Sequence, residues 1–143
     1  MLAVYEKLSS CIDIEWTIVG GGPDEILFKN EIAKRVNCKI TYLGILHPLR
    51  LSNLYKDADI FWLCSLYEEG LGLVYLEAAA YCLPSIGLNR GGVVESIWHD
   101  KTGLIIDNVE ESYDAIIKLN EIVFLPENFK SLLSNRRNFS DFL

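Results

Sequence analysis

The feature that most narrows the fold is an alternation running along the chain. Short runs rich in β-branched and aromatic residues end in glycine or a turn, and stretches with helical spacing follow them. IEWTIV is closed by Gly20-Gly21-Gly22-Pro23 and followed by DEILFKNEIAKRV, with Pro23 where a first helical residue tolerates proline. KITYLG precedes LRLSNLYKDA, and DIFWLCS, read as a buried strand, precedes GLGLVYLEAAAYC. PSIGL precedes GGVVESIW, and KTGLII precedes the amphipathic VEESYDAIIKLN. MLAVYEKLSS reads as an opening amphipathic helix on Leu2, Val4, Tyr5 and Leu8, and PENFKSLL as a closing one. Strands alternating with helices build parallel β-α-β units, and continuous apolar strands fit a sheet covered on both faces. The expected fold is therefore α/β, a Rossmann-like doubly wound parallel sheet. With 143 residues there is room for one ordinary domain, expected over residues 1–133, with a polar tail at 134–143.

Charge and composition exclude several classes. The net charge is −7, and the longest basic runs are the pairs Lys34–Arg35 and Arg136–Arg137, so no nucleic-acid platform is expected. Asp59, Glu77 and Arg90 interrupt the candidate membrane spans, and the N-terminus lacks the basic start and apolar length of a signal peptide. Cys11, Cys38, Cys64 and Cys82 form no C-x-x-C pair, which suits free thiols in a reducing cytosol, with Cys64 and Cys82 as small core residues. His47 and His99 have no ligand-like spacing to the cysteines, so no metal site is expected.

Three glycine loops follow strands. GGGPDE fails the dinucleotide fingerprint, because Glu25 stands where the third glycine is needed and KITYLG does not end in a ribose-binding acid. A tight strand-to-helix turn and a nucleotide role both remain open for these glycines. In EEGLGLVYLEAAA, Gly70 and Gly72 sit where strand gives way to helix, so backbone N–H groups can approach an anion such as diphosphate. NRGGVVE repeats the device with Gly91 and Gly92, and two such loops side by side would line one cleft. Glu77 is the lone charge from Gly70 to Asn89. Buried there, it would cost several kcal/mol unless partnered. It either caps backbone groups or pairs with a lysine, or it points into a ligand cleft, where a carboxylate can accept two vicinal hydroxyls of a ribose.

E-G-L-G-L-V-Y-L-E resembles the E-x7-E signature of the retaining GT-B glycosyltransferases, with Glu69 and Glu77 at the two acid positions. Its neighbours agree in order: VGGGP, YLGIL, LYKDADIFWLCSLYEEG, LEAAAYCLPSIG, GGVVE and KTGLII. The match covers most of Leu2 to Ile106. The resemblance implies the C-terminal half of a GT-B fold, the half that binds a nucleotide-sugar donor without metal or other cofactor. Carried over by position, Glu77 accepts the ribose hydroxyls and Glu69 lies at the donor sugar as the catalytic acid position. The backbone of Gly70, Leu71 and Gly72 approaches the diphosphate and sugar, Leu46 touches the base, and Gly91 and Gly92 line the cleft.

The sequence departs from the family pattern at Leu71 for an aromatic, Cys82 for the glycine ending the helix, and Val94 for a proline. The family's first strand, its glycine-rich loop, and an Arg and a Lys that grip the diphosphate all precede the helix that begins here at Met1; Lys7 does not match that lysine. On this resemblance the chain is expected to be a fragment. It would lack the first strand and the N-terminal acceptor-binding domain, and would be inactive alone. The whole enzyme would be cytoplasmic, at the inner membrane face if peripheral. Without the first strand, the strands around Thr17 and Phe61 are expected to close up and pair directly, sparing unpaired backbone groups in the core. The alternatives are a GT-B nucleotide-sugar epimerase fragment and a non-catalytic nucleotide-sugar-binding module or remnant.

Overall fold

Helix α1 (Leu2–Ser9) turns Tyr5 and Leu8, three residues apart, to one buried face. A computed structural model of the chain describes residues 1–67 and 70–123. In it the Tyr5 hydroxyl donates toward the carbonyl oxygens of Lys39, at 2.8 Å, and Ile14, at 2.9 Å, while the ring packs against Trp16. The helix is thereby fastened beside the starts of β1 (Trp16–Val19) and β2 (Ile40–Gly44). These two strands pair in parallel, Trp16 opposite Ile40 and Ile18 opposite Tyr42, with a register shift at Val19. Helix α2 (Glu25–Ala33) connects them and has no buried residue; Ile26 and Leu27 are exposed.

The chain resolves into two compact units, Met1–Asn53 and Leu54–Leu143. Helix α3 (Pro48–Asp57) runs from the first into the second. The second unit is built on a parallel sheet in which β4 (Ser85–Leu88) lies between β3 (Phe61–Trp62) and β5 (Gly103–Ile106). All four residues of β4 are buried, as a continuous apolar run in a covered central strand requires. Helix α4 (Leu73–Ala80) and the single-turn α5 (Val93–Ser96) bring Tyr75, Val93 and Ile97 into one cluster, with Phe61, Leu63 and Ile105 packed against it. Helix α6 (Ser112–Val123) buries Ser112, Ala115, Ile116 and Leu119, the stripe that its helical spacing sets out. The Ser112 hydroxyl accepts the indole N–H of Trp62 at 3.0 Å.

The α/β class and the parallel strands are as expected, and three sequence expectations change. First, DIFWLCS is not a long buried strand: pairing is confined to Phe61 and Trp62, both half-buried, with one further bond from the Leu63 N–H to the Ile86 carbonyl. Second, direct closure does not occur: β1 pairs with β2 and β3 with β4 in two separate sheets. Each sheet lies within one of the two units, so the strands around Thr17 and Phe61 belong to different units. Third, of the two cysteines read as core, Cys64 is buried and its thiol pKa is pushed up by that burial, but Cys82 is half-buried. The PENFKSLL segment and the 134–143 tail lie outside the described residues.

Cys82 closes α4 in a Schellman arrangement: the Leu83 N–H donates to the Ala78 carbonyl and the Cys82 N–H to that of Ala79. Its φ of 60° is the left-handed conformation that a Cβ disfavours. Cys82→Gly is expected to raise stability by about 0.5–1 kcal/mol, the Cβ penalty less the greater chain entropy of glycine. Urea unfolding checks this; a lower midpoint would show that the cysteine side chain contributes more than its backbone costs.

Candidate functional site

Because β3 and β4 are parallel neighbours, the loops at their carboxyl ends emerge at the same edge of the sheet. The loop after β3 ends at Gly70-Leu71-Gly72 and the loop after β4 at Arg90-Gly91-Gly92. The two are in contact. A Cβ on Gly92 would stand 1.5 Å from the carbonyl oxygen of Gly70 and 2.8 Å from the Cα of Leu71. The Ser96 hydroxyl donates to the Leu71 carbonyl, stitching α5 to the same loop. Gly72 caps α4 in the left-handed conformation (φ 62°, ψ 53°), its missing side chain making room for the Tyr75 ring. The first N–H groups of α4 have no acceptor within the helix and carry its positive end. Helix α5 has four residues, too short for a comparable dipole, so the second loop contributes close packing more than field.

Glu77 is exposed, which corrects its reading as a carboxylate set in core. Helix α4 is apolar on nearly every side, yet only Tyr75 and Ala78 are buried. Leu73 and Leu76 lie on the exposed side with Glu77, and Leu73 and Glu77, four residues apart, share a stripe. No lysine pairs with Glu77 among the described residues; its Oε2 accepts a hydrogen bond from the Tyr55 hydroxyl at 3.3 Å. Tyr55 is buried, stacked on Tyr81 and edge-on to Phe61. Burial, and then the Glu77 charge, push its phenol pKa up to about 12, so it keeps its proton across the neutral range.

The sequence-predicted residues divide into three groups. Gly70, Leu71, Gly72, Glu77, Gly91 and Gly92 all belong to the second unit, and the two glycine loops are brought together. Leu46 follows β2 and is half-buried in the first unit. Glu69 lies outside the described residues. Tyr55, Tyr75 and Ser96 were missed, because their roles depend on partners 12 to 25 positions away. In the first unit, the Gly20–Pro23 loop borders a shallow pocket of about 340 Å³ walled by Phe28 and Tyr42. There the Tyr42 hydroxyl donates to the Gly20 carbonyl at 2.6 Å. Among the described residues no three of His, Cys, Asp and Glu converge as metal ligands, and no helix is long and apolar enough to cross a membrane.

Residues 1–132 match the family described as Glycosyl transferases group 1. The chain belongs to that family. This group 1 glycosyltransferase chain is 37% identical over 111 residues to the GDP-mannose-dependent alpha-(1-6)-phosphatidylinositol monomannoside mannosyltransferase of Mycobacterium tuberculosis H37Rv, a match covering 71% of the chain and 29% of that protein. With the D-inositol 3-phosphate glycosyltransferase of Rhodococcus opacus it shares 28% over 134 residues, 86% of the chain and 30% of that protein. It thus spans about three tenths of the length of these curated relatives. Among solved structures, a glycosyltransferase from Rickettsia africae superposes with a TM-score of 0.77 at 25% identity, over 98% of the chain and 39% of that protein. Anabaena HepE in complex with UDP and glucose gives 0.75 at 19%, over 97% and 39%. The fold is a Rossmann-like half of the GT-B architecture.

The close approach of the two loops gives a direct test. Gly92→Ala drives a methyl into backbone that cannot swing aside, and a loss of at least about 2 kcal/mol is expected, within the range for overpacking. Gly22→Ala, where nothing lies within 4 Å of the added carbon, is expected to be neutral or slightly stabilising. Chemical denaturation of both variants checks this; equal stability would mean that the loops are not in contact.

Proposed function

We propose that this chain is the nucleotide-sugar donor-binding domain of a retaining group 1 glycosyltransferase, a hexosyltransferase acting in polysaccharide, lipopolysaccharide or glycolipid synthesis. The observation that carries the reading is Glu77. It lies on the exposed stripe of α4, beyond the glycine loops that meet at the start of that helix. In this reading the diphosphate lies against Gly70, Leu71 and Gly72, where N–H groups and the helix start favour an anion. Gly91 and Gly92 shape the other wall, and Glu77 accepts the ribose hydroxyls. Glu69, by its place in the E-x7-E motif, is assigned to the donor sugar.

The names of the relatives suggest which donors to try. One acts with GDP-mannose, and a structural neighbour holds UDP and glucose. Transfer to an acceptor belongs, in this proposal, to the whole enzyme, and the acceptor-binding half is the chain's partner there. Positive side chains and helix starts, rather than a metal, would neutralise the leaving diphosphate.

Titration of the chain with UDP, GDP and ADP, and with their sugar conjugates, tests the reading. Glu77→Gln keeps the shape but weakens acceptance of two hydroxyls, and is expected to cost about 1–3 kcal/mol of nucleotide affinity. Unchanged affinity by calorimetry would remove Glu77 from the site. Binding is expected to be insensitive to EDTA; loss on chelation with recovery in manganese or magnesium would overturn the metal-free account.

A further inference from the structure

We propose that Tyr55 is a positioning residue for nucleotide binding: its hydroxyl holds one oxygen of Glu77 so that the carboxylate presents its other oxygen to the ribose diol of a nucleoside diphosphate. The inference rests on the reading of Glu77 above and adds to it a residue outside the E-x7-E signature.

An exposed glutamate samples many rotamers, and ordering it on binding costs conformational entropy. A fixed donor beside it lowers that cost. Tyr55 is such a donor. Only 7% of it is exposed, and its ring is held between Tyr81, stacked at 5.6 Å, and Phe61, edge-on at 5.8 Å. Tyr81 lies four residues beyond Glu77, one turn along the same side of the chain leaving α4. The phenol is therefore fixed beside the exposed stripe, and it stays protonated at neutral pH. Phenylalanine would fill the same space between the two rings; the hydroxyl adds the bond to Glu77. At 3.3 Å that bond is longer than a full hydroxyl–carboxylate bond, so it tethers the carboxylate without saturating it. Such contacts tighten when a ligand draws the acceptor into line.

The experiment compares UDP and GDP with their 2′,3′-dideoxy counterparts, titrated into the unmodified chain, Tyr55→Phe, Glu77→Gln and the double variant. The unmodified chain should prefer the ribose forms. Tyr55→Phe should weaken the ribose forms about three- to tenfold, the range of a net hydrogen bond, and leave the dideoxy forms unchanged. In the Glu77→Gln background it should cost nothing further. Equal weakening of ribose and dideoxy forms, no weakening, additive losses in the double variant, or failure of Tyr55→Phe to fold would each make the hydroxyl a structural group and overturn the proposal. An unmodified chain that binds neither form, or both equally, would remove Glu77 from the ribose, and this inference with it. Tyr55→Phe keeping the ribose preference while Glu77→Gln loses it would refute the role of Tyr55 alone.

Discussion

The second unit depends on where Tyr75 is placed. Its hydroxyl donates to the Leu63 carbonyl at 2.9 Å, just where the chain leaves β3, and its ring meets Phe61 edge-on. The same ring packs with Val93 and Ile97 of the β4–α5 region, and glycines clear its path at positions 72 and 87. One side chain thus ties the end of a strand, the first turn of α4 and the following helix. A buried tyrosine does this more firmly than a phenylalanine, because its apolar body fills the cluster while its polar tip satisfies a carbonyl that has run out of sheet partners.

From that anchor the site geometry follows. With Tyr75 and Ala78 turned inward, the 3.6-residue period leaves Leu73, Leu76 and Glu77 outward, and the start of α4 sits at the carboxyl edge of the sheet. Gly72 can cap the helix in a left-handed conformation, and Gly92 can come against Gly70, since neither carries a Cβ. Backbone close to backbone then presents N–H groups, and no side-chain bulk, to whatever approaches. The cost of this openness is exposed apolar surface at Leu71, Leu73 and Leu76.

Much of this was legible in the residues. The alternation of short apolar runs and helical stretches predicts all five described strands, and GLG and RGG mark the two loops that meet. These signals are local: a strand needs a few β-branched residues, and a tight turn needs glycine. Glu77 shows the limit. Its neighbours are Leu, Tyr and Ala, so composition places it in core, whereas the helix directs only two of those neighbours inward. Strand pairing shows the same limit: β1 meets β2 and β3 meets β4, a choice of partner set by packing that no strand sequence encodes.

By itself the sequence determined the α/β class, the order of elements, the glycine positions that permit close backbone approach and, through its match over residues 1–132, the family. These depend on periodicity, on φ/ψ freedom and on residue order, all of which are written along the chain. Only the tertiary structure decided that Gly92 touches Gly70, that Glu77 is exposed, and that Tyr55, 22 positions before it, is its hydrogen-bond donor. Those facts concern atoms far apart in the chain. They arise when buried side chains such as Tyr75 choose which faces turn inward, a choice made by the packing of the whole unit.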